Sequence, residues 1–178
     1  MNRLARPEAG EFNEYYAGYI AKVPDGDVVD LLDAQFPDTV RLLDSIPEEA
    51  ETSGYAPGKW SPRQLVGHLI DSESMFANRI LWIARSPQIE LPGMDQDEWV
   101  ENSNAGDRPL AVLTEDWAAV RAQTLRLARS VPDELLPQSG VASGHPVSIR
   151  GLLWIIAGHE RHHRSALKRL YGFGGEGE

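Results

Sequence analysis

Three histidines stand where a helical reading of the chain calls for apolar residues. One segment repeats core positions every three or four residues as Leu65, His68, Ser72, Met75, Arg79 and Trp82. A second does so as Ile149, Leu152, Ile156, His159, His163, Ala166 and Leu170. An imidazole facing a bundle interior needs partners for both ring nitrogens, because an unpaired buried polar group costs about 1–3 kcal/mol. Ordinary polar neighbours can supply them, either a backbone carbonyl or a carboxylate. One shared divalent cation is the alternative that serves all three rings at once. His159 and His163 favour it. Side chains four apart lie one turn apart on one helical face, with Cβ atoms about 5–6 Å apart, so two imidazoles can take adjacent vertices around one ion. His68, His159 and His163 are therefore the predicted metal ligands, and their affinity for metal should weaken as pH falls through about 6.5.

The last segment also spells His159-Glu160-Arg161-His162-His163, the His-Glu-x-x-His pattern of zinc peptidases. Its context argues against that class. Such enzymes take a third protein ligand, usually downstream, and the acids after His163 are Glu176 and Glu178, in a glycine-rich tail. The expected substrate-binding strand is missing. Glu160 reads as an exposed helix carboxylate or, functionally, as a general base or an acceptor that supports the site. Asp71, three residues after His68, can orient an imidazole or become a fourth ligand that would close the site. These two are the candidate catalytic residues. His162 points to the flank of the stripe, and His145 receives no role.

Composition narrows the chemistry. With no cysteine there is no thiolate ligand, disulfide or cysteine nucleophile, so a metal must be held by nitrogen and oxygen, and any reacting thiol must come from outside. Seventeen Lys and Arg against 27 Asp and Glu leave a net charge of −10, which opposes binding to nucleic acid or an anionic membrane. No run of apolar residues is long enough to span a bilayer, and Met1–Gly10 lacks the apolar stretch of a signal peptide, so cytoplasmic residence is expected.

Helical spacing dominates, and no segment shows convincing alternation of period two. A short helix is expected over about Glu8–Lys22, inside an N-terminal extension of residues 1–27. A first bundle helix is expected over Val28–Ser45, kinked or split at Pro37. Ser61-Pro62-Arg63-Gln64 combines an N-cap serine, proline at the first helical position and glutamine three residues after the cap, opening a helix to about Arg85 that Ser86-Pro87 ends. Residues 87–108 read as an irregular loop, a candidate lid whose acids Asp95, Asp97 and Glu98 are solvated. A third long helix starts near Pro109 and ends at Pro132. Ser148 caps a fourth that runs to about Tyr171, and residues 172–178 read as a flexible tail. The expectation is one all-α domain over residues 1–178, a four-helix bundle with long crossover connections.

Three stretches together resemble the DinB/YfiT-like superfamily: Tyr55-Ala56-Pro57-Gly58-Lys59-Trp60-Ser61-Pro62 followed by Val66-Gly67-His68-Leu69-Ile70-Asp71-Ser72-Glu73; Leu91-Pro92-Gly93-Met94-Asp95-Gln96-Asp97; and Ala157-Gly158-His159-Glu160-Arg161-His162-His163. The resemblance spans about Tyr15 to Tyr171. It implies a bundle, often dimeric, that holds one divalent ion, zinc or nickel, on one histidine of the second bundle helix and two of the last. These positions are again His68, His159 and His163. It also implies a small-molecule substrate and one of two reactions: transfer of an exogenous thiol such as bacillithiol to an electrophile, or hydrolysis. A non-catalytic metal- or ligand-binding protein, or a metal-free core, stays open beside these enzymes.

Overall fold

The computed structural model describes residues 5–86 and 88–174; Pro87 and residues 175–178, with the two tail acids, lie outside them. Four long helices form the bundle: α2 (Val28–Asp44), α3 (Pro62–Arg85), α5 (Leu110–Ser130) and α6 (Ile149–Leu170). Each start has a local cause. The Asp27 carboxylate accepts from the backbone N–H groups of Val29 and Asp30. At α3 the capping box is complete, with the Ser61 hydroxyl accepting from Gln64 N and the Gln64 side chain accepting from Ser61 N. Ser148 caps α6 through Gly151 N.

Helices α2 and α3 each pack against both α5 and α6, which puts α2 and α3 on one diagonal and α5 and α6 on the other. The direction of each helix follows from its buried residues. One hydrophobic cluster holds the start of α2 (Val28, Val29, Leu32), the end of α3 (Phe76, Ile80, Ile83), the end of α5 (Leu125, Ala128) and the start of α6 (Ile149–Ala157). The other holds Leu42 and Leu43, Leu65, Val66 and Leu69, Leu110, Leu113 and Trp117, and Leu167. Hence α2 and α6 run one way and the adjacent α3 and α5 run the other. Parallel neighbours cannot be joined by a tight turn, which is why residues 86–109 must cross the bundle. Between the two clusters every helix contributes buried polar groups: Gln35 and Thr39, His68, Ser72 and Glu73, Arg121 and Thr124, His159 and Glu160. The candidate site lies in this polar layer.

Several expectations need correction. Helix α2 is not split at Pro37; Leu32, Gln35, Thr39, Leu42 and Leu43 stay buried on either side, and that packing outweighs one lost backbone hydrogen bond. The crossover is not a plain loop, because it contains β1 (Glu90–Leu91) and α4 (Gln96–Asn102), whose cap is the Asp95 carboxylate. β1 pairs in parallel with β2 (Ser139–Ala142), and β2 pairs antiparallel with β3 (His145–Ser148). Ser143 (φ 54°) and Gly144 (φ 76°) supply the two positive φ values that a tight hairpin turn requires. Alternation over four residues is too short to read from sequence. The N-terminal helix shrinks to α1 (Ala17–Ile20), preceded by a 3-10 turn over Glu14–Tyr16. Gly158 of α6 accommodates α1, since a Cβ there would sit 2.2 Å from the Tyr19 carbonyl oxygen. At the start of the tail Gly172 (φ 75°) reverses the chain, and Phe173 donates its N–H to Leu167 O and stacks on Tyr171.

Candidate metal centre

Antiparallel α3 and α6 bring His68, His159 and His163 together. The Nε2 of His159 lies 3.1 Å from that of His68 and 3.0 Å from that of His163, and one ligand atom from each ring falls within 4.8 Å of the others. Two nitrogens about 2.0–2.1 Å from one ion stand about 3.0–3.4 Å apart at adjacent vertices, so the two spacings at His159 fit a shared cation. Among the described residues this is the one cluster of histidines and acids so arranged, and Asp71 does not join it. Three imidazoles without a fourth protein donor match the open type of site rather than the closed structural type.

The surroundings keep the rings neutral. Burial lowers His68 to about 4. Burial, reinforced by the other histidines, holds His159 and His163 well below the ordinary value. The three rings are therefore held in the form whose lone pairs can meet a cation. Trp60 packs on His68 with ring centroids 4.8 Å apart, and Tyr19 on His159 at 5.4 Å. The group beside His68 Nδ1 is the Ser72 hydroxyl at 3.4 Å. Asp71 makes no hydrogen bond among the described residues, so the imidazole-orienting role falls to Ser72.

Glu160 is the larger correction. It is 1% exposed, not solvated. One oxygen accepts from Thr39 Oγ1 at 2.5 Å; the other accepts from Gln35 Nε2 at 2.5 Å and faces Arg121 Nη2 at 2.8 Å. Arg121 also donates through Nε and Nη2 to the two Glu73 oxygens, and through Nη1 to Leu32 O at 3.0 Å. Trp117 Nε1 completes the set on Glu73 at 2.8 Å. Burial opposes the charge on Arg121, but the two carboxylates outweigh it and raise its pKa. With both oxygens engaged, Glu160 cross-links α6 to α2 and α5, a structural role that its helical position alone did not suggest. Its helical position misled because α6 is buried around its whole circumference from Gly151 to Glu160.

Two cavities reach the histidines, each lined by different rings. The inner one, about 190 Å³, is lined by His68 and His159 together with Tyr15, Tyr16, Tyr19, Arg79 and Ser143. The outer one, about 390 Å³, is lined by His162 and His163 together with Tyr55, Lys59, Trp60 and Asp97. Gln96, the first residue of α4, lines both. Part of the expected lid segment thus stands over the site as an ordered helix. The sequence did not point to the tyrosines, because Tyr15 and Tyr16 lie in a 3-10 turn and Tyr19 in a helix of only four residues, nor to Arg79. That residue lay on the predicted inward stripe, and it is indeed 5% exposed, whereas Trp82 from the same stripe is 47% exposed.

A family model for the DinB superfamily matches residues 31–167. The chain belongs to this family. It is 24% identical over 127 residues to a protein of Oceanobacillus iheyensis named "Putative metal-dependent hydrolase", covering 71% of this chain and 73% of that one. Its fold is similar to that of YfiT from Bacillus subtilis, described as a "probable metal-dependent hydrolase with an unusual four-helix bundle topology" (TM-score 0.69, 17% identity, 96% of this chain and 95% of that one). It is also similar to the mycothiol-dependent maleylpyruvate isomerase, with a TM-score of 0.65 and 13% identity over 82% of this chain and 61% of that one. The family match begins after α1, so the tyrosine wall of the inner cavity lies outside the matched region. No helix among the described residues is long and apolar enough to cross a membrane.

Proposed function

We propose that this protein is a divalent-metal-dependent enzyme that joins a small exogenous thiol to an electrophilic small molecule, with His68, His159 and His163 as the metal ligands. The observation that carries the reading is the pair of cavities at the three histidines, one presenting His68 and His159 and the other His163. Two separate cavities give a thiol and an electrophile each its own approach to one centre. The absence of cysteine agrees, since the sulfur must then be brought in. When bound, the cation, zinc or nickel from the all-nitrogen donor set, supplies positive charge that lowers the pKa of a thiol or water beside it. The chain's own contribution is to keep three imidazoles neutral by burial, to fix the His68 ring through Ser72, and to shield His159 under Tyr19. In the reaction the sulfur bonds to the electrophilic carbon, the leaving group departs with its electron pair, and the thiol proton passes to solvent.

The printed names of the Oceanobacillus and Bacillus relatives favour a second reading, hydrolysis by water activated at the same centre. The deciding experiment loads purified protein with zinc or nickel and offers bacillithiol, mycothiol or glutathione with a chlorinated aromatic electrophile. Thioether formation that is lost in His163→Ala is expected. No turnover with any thiol, alongside metal-dependent cleavage of esters or amides, would replace transfer by hydrolysis.

A further inference from the structure

Arg79 is a buried cation with no acid beside it. Its Nη2 donates to Pro92 O at 2.6 Å and to Ser143 Oγ at 3.3 Å, both neutral acceptors. The Tyr16 hydroxyl lies against the guanidinium, and the Phe76 ring centroid lies 5.8 Å from its central carbon. No carboxylate comes within salt-bridge distance among the described residues, although the chain carries ten more acids than bases. The other deeply buried arginine, Arg121, is held by two carboxylates. A desolvated charge left without a counter-charge is costly, so its retention in a cavity marks a place for an anion.

The geometry points to Arg79 as the seat for a carboxylate of the electrophilic substrate, which fixes that molecule in the inner cavity with its reacting carbon toward His68 and His159. This rests on the two-substrate reading above and specifies which substrate takes which cavity. Three features select a monoanionic carboxylate. Arg79 is the single cation lining a cavity of about 190 Å³, which matches one negative charge better than the two of a phosphate. A planar guanidinium pairs with a carboxylate in a two-point fork. The remaining lining of Tyr15, Tyr16, Tyr19, Met75, Phe76 and Met94 suits an apolar or aromatic body. The fold builds this seat from distant parts: α3 supplies the arginine, the crossover supplies Pro92 O, and the strained Ser143 of the hairpin turn supplies its hydroxyl.

The test is binding of 4-fluorobenzoate against 4-fluorobenzamide, followed by ¹⁹F NMR, with the full chain stripped of metal so that direct ligation is removed. At least tenfold preference for the acid is expected, lost in Arg79→Gln, partly kept in Arg79→Lys and unchanged in His163→Ala. Equal affinity for acid and amide in the wild type would overturn the assignment, even if the Arg79 variants do not fold. Loss of acid binding in His163→Ala, with Arg79→Gln unaffected, would overturn it as well. The reaction is read separately, with metal-loaded protein and 4-chloro-3-nitrobenzoate against its amide. Acid-selective binding without thiol transfer leaves the carboxylate seat standing and removes the transferase. Equal kcat/KM for both electrophiles, with binding unselective, keeps the transferase and removes the seat.

Discussion

Replacing Glu160 separates a structural carboxylate from a catalytic one. In Glu160→Ala, Arg121 loses one of its two counter-charges, while Gln35 and Thr39 lose acceptors at 2.5 Å. Each donor retains something: Arg121 keeps Glu73 and Leu32 O, Gln35 keeps Ala157 O at 3.1 Å, and Thr39 keeps Gln35 O at 3.4 Å. The cost should therefore match a broken buried pair rather than three fully orphaned groups, about 3–5 kcal/mol. At about 2–4 °C per kcal/mol for a chain of this size, the midpoint should fall by about 6–20 °C. Glu160→Gln keeps the shape. Its amide oxygen can accept from Arg121 and Gln35 if the amide nitrogen faces the Thr39 hydroxyl, so only the charge is lost, at about 1–2 kcal/mol. The assay is thermal and urea unfolding of metal-stripped protein, paired with metal content and thioether formation. An alanine variant within about 1 kcal/mol of wild type would refute the network's structural role. A glutamine variant of full stability and full metal content, yet without turnover, would restore the carboxylate as a general base.

Metal analysis should find one equivalent of divalent ion in the wild type and essentially none in His68→Ala or His163→Ala; equal content in the variants would remove the site. Because burial lowers His68 from its ordinary value to about 4, the folded state binds fewer protons than the unfolded one between those limits. Stability of the metal-stripped protein should thus be full above about pH 6.5 and fall as pH drops toward 4, by about 3 kcal/mol from this ring alone. Urea titrations at pH 7 and pH 4.5 should show a shallower loss in His68→Leu, and identical losses in the two proteins would contradict the burial argument. In Gly158→Ala the new methyl meets the Tyr19 carbonyl, so α1 must move off α6. We expect a loss of about 1–3 kcal/mol and faster proteolysis near Tyr15–Tyr19; unchanged cleavage would show that α1 does not depend on that contact.

The histidine cluster and the bundle were legible because both are periodic. A 3.6-residue repeat reports which side chains share a face, and three imidazoles on inward faces of two helices have few ways to be satisfied. Local chemistry also set helix boundaries, as the Ser61–Gln64 capping box shows. Tertiary structure decided what periodicity cannot carry. It turned Glu160 from a flank acid into the centre of a buried ion network, because an all-round buried helix has no solvent flank. It gave the Nδ1 contact of His68 to Ser72 and left Asp71 aside. It also placed Arg79 against Pro92 and Ser143, residues 13 and 64 positions away, contacts made by a crossover and a hairpin too short and irregular to leave a repeat in the sequence.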